Sequence, residues 1–132
     1  NVFLNSSWSS GVYGMYQIAP DLKYGVDVSA NLYTRRGFPV FPFSSFDPGD
    51  GETRQIEVAD DARYDNLFVT DLRVSKSFAL SGFDLTLGFD MFNVLNRDTA
   101  VQQNVDTQSA DYLRVLERLS PRTFGISGRF RF

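Results

Sequence analysis

The residue types that most often carry chemistry are thinly represented in this sequence. It has no histidine and no cysteine, so the commonest acid/base group, the commonest zinc ligand, thiolate metal sites and disulfides are all missing. Serine is plentiful, yet there is no G-x-S-x-G turn and no histidine to activate a hydroxyl. Carboxylates are the remaining candidates. Asp84 and Asp90 are six residues apart, which on an extended strand is about 20 Å at about 3.3 Å per residue, too far for the carboxyl pair of a glycosidase. Asp47, Asp50 and Glu52, with Asp60, Asp61 and Asp65 beyond them, offer the oxygen ligands that calcium takes. Pro48-Gly49 follows Asp47 where an EF-hand loop needs its second ligand. The expectation is a solvated acidic loop, with no metal, no cofactor and no catalysis.

The other charges of interest, Asp27, Asp84, Asp90, Arg129 and Arg131, fall inside alternating runs. Between Leu22 and Thr34, Leu22, Tyr24, Val26, Val28, Ala30 and Leu32 alternate with Lys23, Gly25, Asp27, Ser29 and Asn31. Successive side chains of a strand point to opposite faces, so this spacing predicts a strand with one apolar and one polar face. Phe83, Leu85, Leu87, Phe89 and Met91 alternate in the same way with Asp84, Thr86, Gly88 and Asp90. Phe124, Ile126, Gly128, Phe130 and Phe132 alternate with Thr123, Gly125, Ser127, Arg129 and Arg131. A fourth run, from about Asn66 to Phe78, sets Phe68, Thr70, Leu72, Val74 and Phe78 opposite Asp71, Arg73, Ser75 and Ser77, with Lys76 as the charge on the apolar side. A lysine near a strand end can snorkel. The segment from about Trp8 to Ile18 is β-prone but apolar on both parities, which leaves its facing open.

Short connections (Ala19-Pro20-Asp21 and Leu80-Ser81-Gly82) alternate with long polar ones, from about Pro39 to Tyr64 and from about Arg97 to Leu119, the second with room for a short helix around Ala110 to Arg118. The loop aromatics Phe38, Phe41, Phe43 and Phe46 are expected to pack within the loops rather than grip a ligand. Asn93 and Asn96 are expected to end or bend their strand.

Composition narrows the setting of these strands. Thirteen Lys+Arg against 16 Asp+Glu, a net charge of -3 and a pI near 4.8 leave no basic footprint for nucleic acid. No run is long and apolar enough for a membrane helix, and the first residues lack a charged stretch followed by an apolar run, so neither a membrane helix nor a signal peptide is expected within these residues. Yet 13 Phe and 6 Tyr coexist with a mean hydropathy of -0.22. Alternation reconciles the two, because apolar and polar residues interleave along each strand, and a transmembrane β-barrel hides from hydropathy averages in this way. The apolar stripes run about 9 to 11 residues, the length of a tilted strand crossing a bilayer. Mid-strand charges suit a wet lumen, and short turns opposite long loops is the asymmetry of outer-membrane barrels. Tyr24, Phe83, Phe130 and Phe132 at stripe ends suit an interfacial girdle. The expected fold is all-β, an antiparallel up-and-down meander of about five long strands forming an open segment of a transmembrane β-barrel wall. The alternative is a soluble β-sandwich or small-barrel module binding carbohydrate or protein, with the stripes as its core.

The end Ser120-Pro121-Arg122-Thr123-Phe124-Gly125-Ile126-Ser127-Gly128-Arg129-Phe130-Arg131-Phe132 resembles the last strand of TonB-dependent outer-membrane receptors, which commonly close with Pro-Arg, an alternating strand and a terminal Phe. Asp71-Leu72-Arg73-Val74-Ser75-Lys76-Ser77-Phe78 and Asp90-Met91-Phe92-Asn93-Val94-Leu95-Asn96-Arg97 are similar to the two preceding strands of those receptors, with their D-x-F-N-x-x-N sequence. Tyr16-Gln17-Ile18-Ala19-Pro20 with Asn31 to Pro39 is similar to an earlier hairpin of the Oar-like branch. The resemblance covers nearly the whole chain except the loops.

It implies that residues 1–132 are the C-terminal part of a receptor barrel of 22 strands that takes up a scarce ligand, with the plug and earlier strands lying outside this sequence. The short turns would then be periplasmic and the long loops extracellular. Asp27, Asp84, Asp90, Arg129 and Arg131 would face the lumen. Phe130 and Phe132 would form the assembly signal read by the barrel-insertion machinery, with Ser127 standing where that signal usually has glycine. Implied partners are outer-membrane lipid, the rest of the barrel and its plug, the barrel-assembly machinery, and TonB only through the plug.

Overall fold

A computed structural model describes residues 6–19, 25–58 and 62–132. The described residues form nine strands: β1 (Ser9–Ile18), β2 (Val26–Arg35), β3 (Phe43–Phe46), β4 (Arg54–Glu57), β5 (Leu67–Leu80), β6 (Phe83–Phe92), β7 (Ala100–Gln103), β8 (Val115–Arg118) and β9 (Thr123–Arg131). They fall into two compact units. One, residues 10–34, 68–97 and 120–132, holds an open sheet in the order β1-β2-β5-β6-β9. The other, residues 1–9, 35–67 and 98–119, holds the two-stranded pairs β3-β4 and β7-β8.

The five expected long strands are the five of the sheet, in meander order and within a few residues of their expected ends. The tight turn after Leu80 carries Gly82 at φ 96°, a value that glycine reaches without steric penalty. The other expected turn lies, after Ala19, outside the described residues, as do Leu22, Lys23 and Tyr24.

Register fixes the faces. Arg73 pairs with Asp90, Ser75 with Gly88, Ser77 with Thr86 and Ala79 with Asp84 between β5 and β6. Asp84 pairs with Arg131, Thr86 with Arg129 and Gly88 with Ser127 between β6 and β9. Directly opposed residues share a face, so these form one polar surface. The other face stacks rows of apolar residues: Leu72, Met91 and Phe124, then Val74, Phe89 and Ile126, then Phe78, Leu85 and Phe130. Between the second and third of these rows lie Lys76, Leu87 and Gly128. The facing of β1, left open by its sequence, follows from the Gln17 side chain donating to Asp27 at 2.9 Å, which puts Gln17 and the alternate residues Tyr13 and Met15 on the polar side.

Little of the apolar face is buried. Ile126 is 86% exposed and Phe130 61%. The only buried apolar side chains among the described residues, Val40 at 5% exposure and Pro42, belong to the other unit.

In that unit the long polar connections carry short strands of their own. The segment around β3 and β4 is a long hairpin: the strands pair from Phe43 with Glu57 to Phe46 with Arg54. Backbone bonds carry it on, from Val58 to the Pro42 carbonyl, Val40 to Ala62 and Tyr64 to Phe38. Its tip folds on its own acids. Asp47 accepts from the Gly49 amide at 2.8 Å, Asp50 accepts from the Glu52 amide at 3.0 Å, and Asp50 pairs with Arg54 at 2.7 Å. The room for a helix at Ala110 to Arg118 is taken instead by turns through Leu113, at φ 65°, and by β8. Helix propensity is a weak prior there, and pairing with β7 overrides it. The two hairpins also join each other: Phe43 donates its amide to Val105, and its carbonyl accepts from both the amide and the hydroxyl of Thr107.

Candidate functional site

The polar face of the sheet gathers the charged residues singled out in the sequence. Asp84, Asp90, Arg129 and Arg131 share it by register. Asp27 joins them through its bond to Gln17 and through its alternate neighbours Ser29 and Asn31, which line one recess with Tyr13, Asp71, Arg73 and Asp90. Phe92 lines that recess as well, which has a volume of about 260 Å³. A second depression, about 490 Å³, runs over Arg73, Ser75, Thr86, Ser127 and Arg129.

Arg73 ties three strands together. Its Nη1 reaches Asp90 Oδ1 at 3.1 Å and its Nη2 donates to Ser127 Oγ at 3.2 Å, so the guanidinium spans from β5 over β6 to β9. That path exists because residue 88 has no side chain. A Cβ there would lie 2.6 Å from Ser127 Oγ and 2.8 Å from Arg73 Nη2, inside contact distance. Arg73 and Asp90 are opposite charges at directly opposed positions of neighbouring strands, and they pair. Gly88 as the gap that admits Arg73, and Ser127 as its far partner, could not be read without the register. Further along the face, Ser77 and Thr86 hydroxyls bond at 2.9 Å. Asp84 lies opposite Arg131 without an ion pair closing between them.

The polar face ends in a built corner. Asn93, 4% exposed and at φ 49°, leaves the strand in the left-handed region that Asn tolerates better than most residues. Its Nδ2 donates to the Arg97 and Ser120 carbonyls at 2.8 Å each, its Oδ1 accepts from the Arg97 amide at 3.0 Å, and its own amide donates to Asp71 at 3.1 Å. Asn96, at φ 50°, accepts from the Arg122 amide at 2.9 Å. The expectation that both asparagines bend the strand holds, and their bonds show how: they anchor the chain entering β9 to the chain leaving β6.

Among the loop aromatics, Phe38 sits under the Arg35 guanidinium at 3.9 Å, and Phe43 makes the inter-hairpin bonds through its backbone. Phe46 is 51% exposed. Gly37 permits a backbone crossing, since a Cβ there would come within 1.7 Å of the Tyr64 carbonyl oxygen. The acids weighed as calcium ligands do not converge: among the described residues no group of three His, Cys, Asp or Glu side chains could hold a metal ion. Asp60 and Asp61 lie outside the described residues.

On the apolar face, Phe83 packs against Phe130 at 6.3 Å and Phe132 at 6.5 Å between ring centroids, an aromatic cluster at the end of the sheet next to the Ser81-Gly82 turn. Phe89 and Phe124 stack at 5.9 Å toward the other end. No helix among the described residues is long and apolar enough to cross a membrane, a statement that does not bear on strands. Comparison with models of known protein families, with curated proteins and with solved structures gave no match to this chain.

Proposed function

We propose that this chain is part of the wall of an outer-membrane β-barrel of the TonB-dependent receptor kind. Its apolar sheet face meets lipid, its polar face lines a ligand path, and its two hairpins project outside the cell. It performs no catalysis, and transport depends on the plug, a partner of this wall, and on TonB, which acts only through the plug. The reading takes Phe130 and Phe132 as the assembly signal and Asp27, Asp84, Asp90, Arg129 and Arg131 as lumen charges.

One observation carries it: a five-strand sheet, with strands of 9 to 14 residues, has a charged face and an opposite apolar face that stays exposed. Burying one Leu, Ile or Phe side chain contributes about 1.5–3 kcal/mol. Leaving Ile126, Phe124, Phe130, Leu87 and Phe89 at 42% exposure or more forgoes that gain in water. Hydrocarbon supplies it without a second protein layer, and antiparallel strands can cross hydrocarbon only within a closed barrel, which satisfies their edges. The aromatic clusters at two levels of the apolar face support the same reading, since girdles of this kind flank a barrel's lipid band.

The test is the state of the isolated chain without detergent. Aggregation relieved by detergent or lipid is the expected result, because β1 and β9 are open edges and the apolar face is bare. A monodisperse, cooperatively folded monomer in plain buffer would overturn the wall assignment.

A further inference from the structure

The depression of about 490 Å³ on the polar face has a lining of one chemical kind. Ser75, Thr86 and Ser127 bring hydroxyls, Arg73 and Arg129 bring guanidiniums, and no carboxylate is among its walls. Register explains the gathering. Ser75, Gly88 and Ser127 form one row across β5, β6 and β9, and Ser77, Thr86 and Arg129 form the next. The first row spans about 10 Å, two strand spacings, and the missing side chain of Gly88 leaves its middle to the Arg73 guanidinium.

The two arginines differ in how they are held. Asp90 at 3.1 Å and Ser127 at 3.2 Å fix the plane of the Arg73 guanidinium. A guanidinium has five N–H donors, and 45% of the Arg73 side chain is exposed, so donors are left for a further acceptor. Arg129 stands across from Thr86 rather than from an acid, and among the described residues it enters no ion pair. Asp90 balances the charge of Arg73, so the net positive charge of the depression is that of Arg129.

We propose that this depression binds the phosphate group of an anionic solute. The inference rests on the wall reading above for the ligand path that the face lines, and deepens it by naming the class of solute. Charge complementarity selects an anion, and the arrangement of donors selects phosphate over carboxylate. The donors come from three strands, and a phosphate group presents three acceptor oxygens around a tetrahedral centre, whereas a carboxylate offers two oxygens in one plane. Guanidinium takes phosphate oxygens in pairs, so Arg129 holds one edge of the group and Arg73 another. The Ser75 hydroxyl, and the Ser127 hydroxyl that accepts from Arg73, donate to the same oxygens.

Titration of the full chain in non-ionic detergent with inorganic phosphate, followed by amide NMR shifts, tests it. Saturating shifts are expected at the Ser75, Gly88, Ser127 and Arg129 amides, with none at Val40 and Tyr64 of the hairpin unit. Arg129→Gln, which breaks no ion pair among the described residues, should weaken phosphate binding at least about ten-fold, the factor for one lost hydrogen bond to a charged group. Gly88→Ala should weaken it as well, by displacing Arg73. Arg114→Gln removes a positive charge from the exposed Arg114–Asp111 pair outside the sheet and should leave binding unchanged. Acetate should give no saturating shifts over the same range. Phosphate shifts that do not saturate, acetate that binds equally, or an Arg129→Gln variant that binds as the unaltered chain does overturns the phosphate site and leaves the wall reading standing. Saturable phosphate binding by a chain that is a monodisperse monomer without detergent overturns the wall reading and leaves the phosphate site standing.

Discussion

In the sheet, Ile126 and Phe130 are 86% and 61% exposed, whereas in the hairpin unit Val40 is 5% exposed and Pro42 fully buried. The segments richest in apolar alternation thus leave it uncovered, and among the described residues the polar connections enclose the buried apolar side chains. The hairpin unit is held by backbone contacts that close on themselves, such as Phe43 with Val105 and Thr107, and Tyr64 with Phe38. The sheet is held by its ladders and by side chains bridging strands, and its apolar surface answers to whatever surrounds it. The contrast separates two sources of order: self-contained hydrogen bonding in one unit, and a solvent-dependent face in the other.

The largest expected effect breaks the hairpin unit alone. Gly37→Val drives a side chain into the Tyr64 carbonyl, where even a Cβ has 1.7 Å of space, a clash that the backbone must move to relieve. Destabilisation of more than about 3 kcal/mol is expected. Hydrogen exchange should report it as lost protection at the Val40 and Tyr64 amides, with the amides of β6 and β9 unchanged. Equal loss in the sheet would show that the two units do not fold separately.

The next variant addresses the sheet face. Ile126→Lys puts a charge on the most exposed of its mid-strand apolar positions. In a bilayer the penalty should be about 3 kcal/mol, while in water a surface change of this kind stays within about 0.5 kcal/mol. Unfolding by denaturant in lipid and in buffer measures the difference, and equal sensitivity in both would remove the contrast between the units.

Asn93→Ala should cost about 2 kcal/mol, because the Arg97 and Ser120 carbonyls and the Arg97 amide lose their partner at a buried corner. Its exchange signature should fall at Arg97 and in the first residues of β9, with the β3-β4 hairpin unaffected. Gly88→Ala should cost about 1–2 kcal/mol by pushing Arg73 away from Ser127. Combining it with Arg73→Ser should recover part of that loss, a coupling of about 1 kcal/mol in a double-mutant cycle. Strict additivity would mean that Arg73 does not need the gap at Gly88.

The sequence made the sheet legible because one physical rule, alternation of faces, runs unbroken through Val26 to Leu32, Phe83 to Met91 and Phe124 to Phe132. The paired hairpins escaped it. Phe43–Phe46 reads Phe-Ser-Ser-Phe and Arg54–Glu57 reads Arg-Gln-Ile-Glu, four-residue strands too short and too mixed to show a period. Their fixing contacts also come from far away, as from Phe43 to Thr107 across 64 residues. Of the site, the gathering of Asp84, Asp90, Arg129 and Arg131 on one face was legible because each falls on the polar parity of its strand. The path to Ser127 was not, since it depends on which residue β9 sets beside Gly88.

By itself, then, the sequence determined the five long strands, the division of four of them into a charged and an apolar side, the bends at Asn93 and Asn96, and the absence of histidine and cysteine chemistry. These follow from residue type and local spacing, which need no partner. Tertiary structure alone decided the facing of β1, the bridge of Arg73 over Gly88 and the bonding of the two hairpins to each other. Each of those depends on register or on an encounter between distant segments, and a one-residue slip in register exchanges every face.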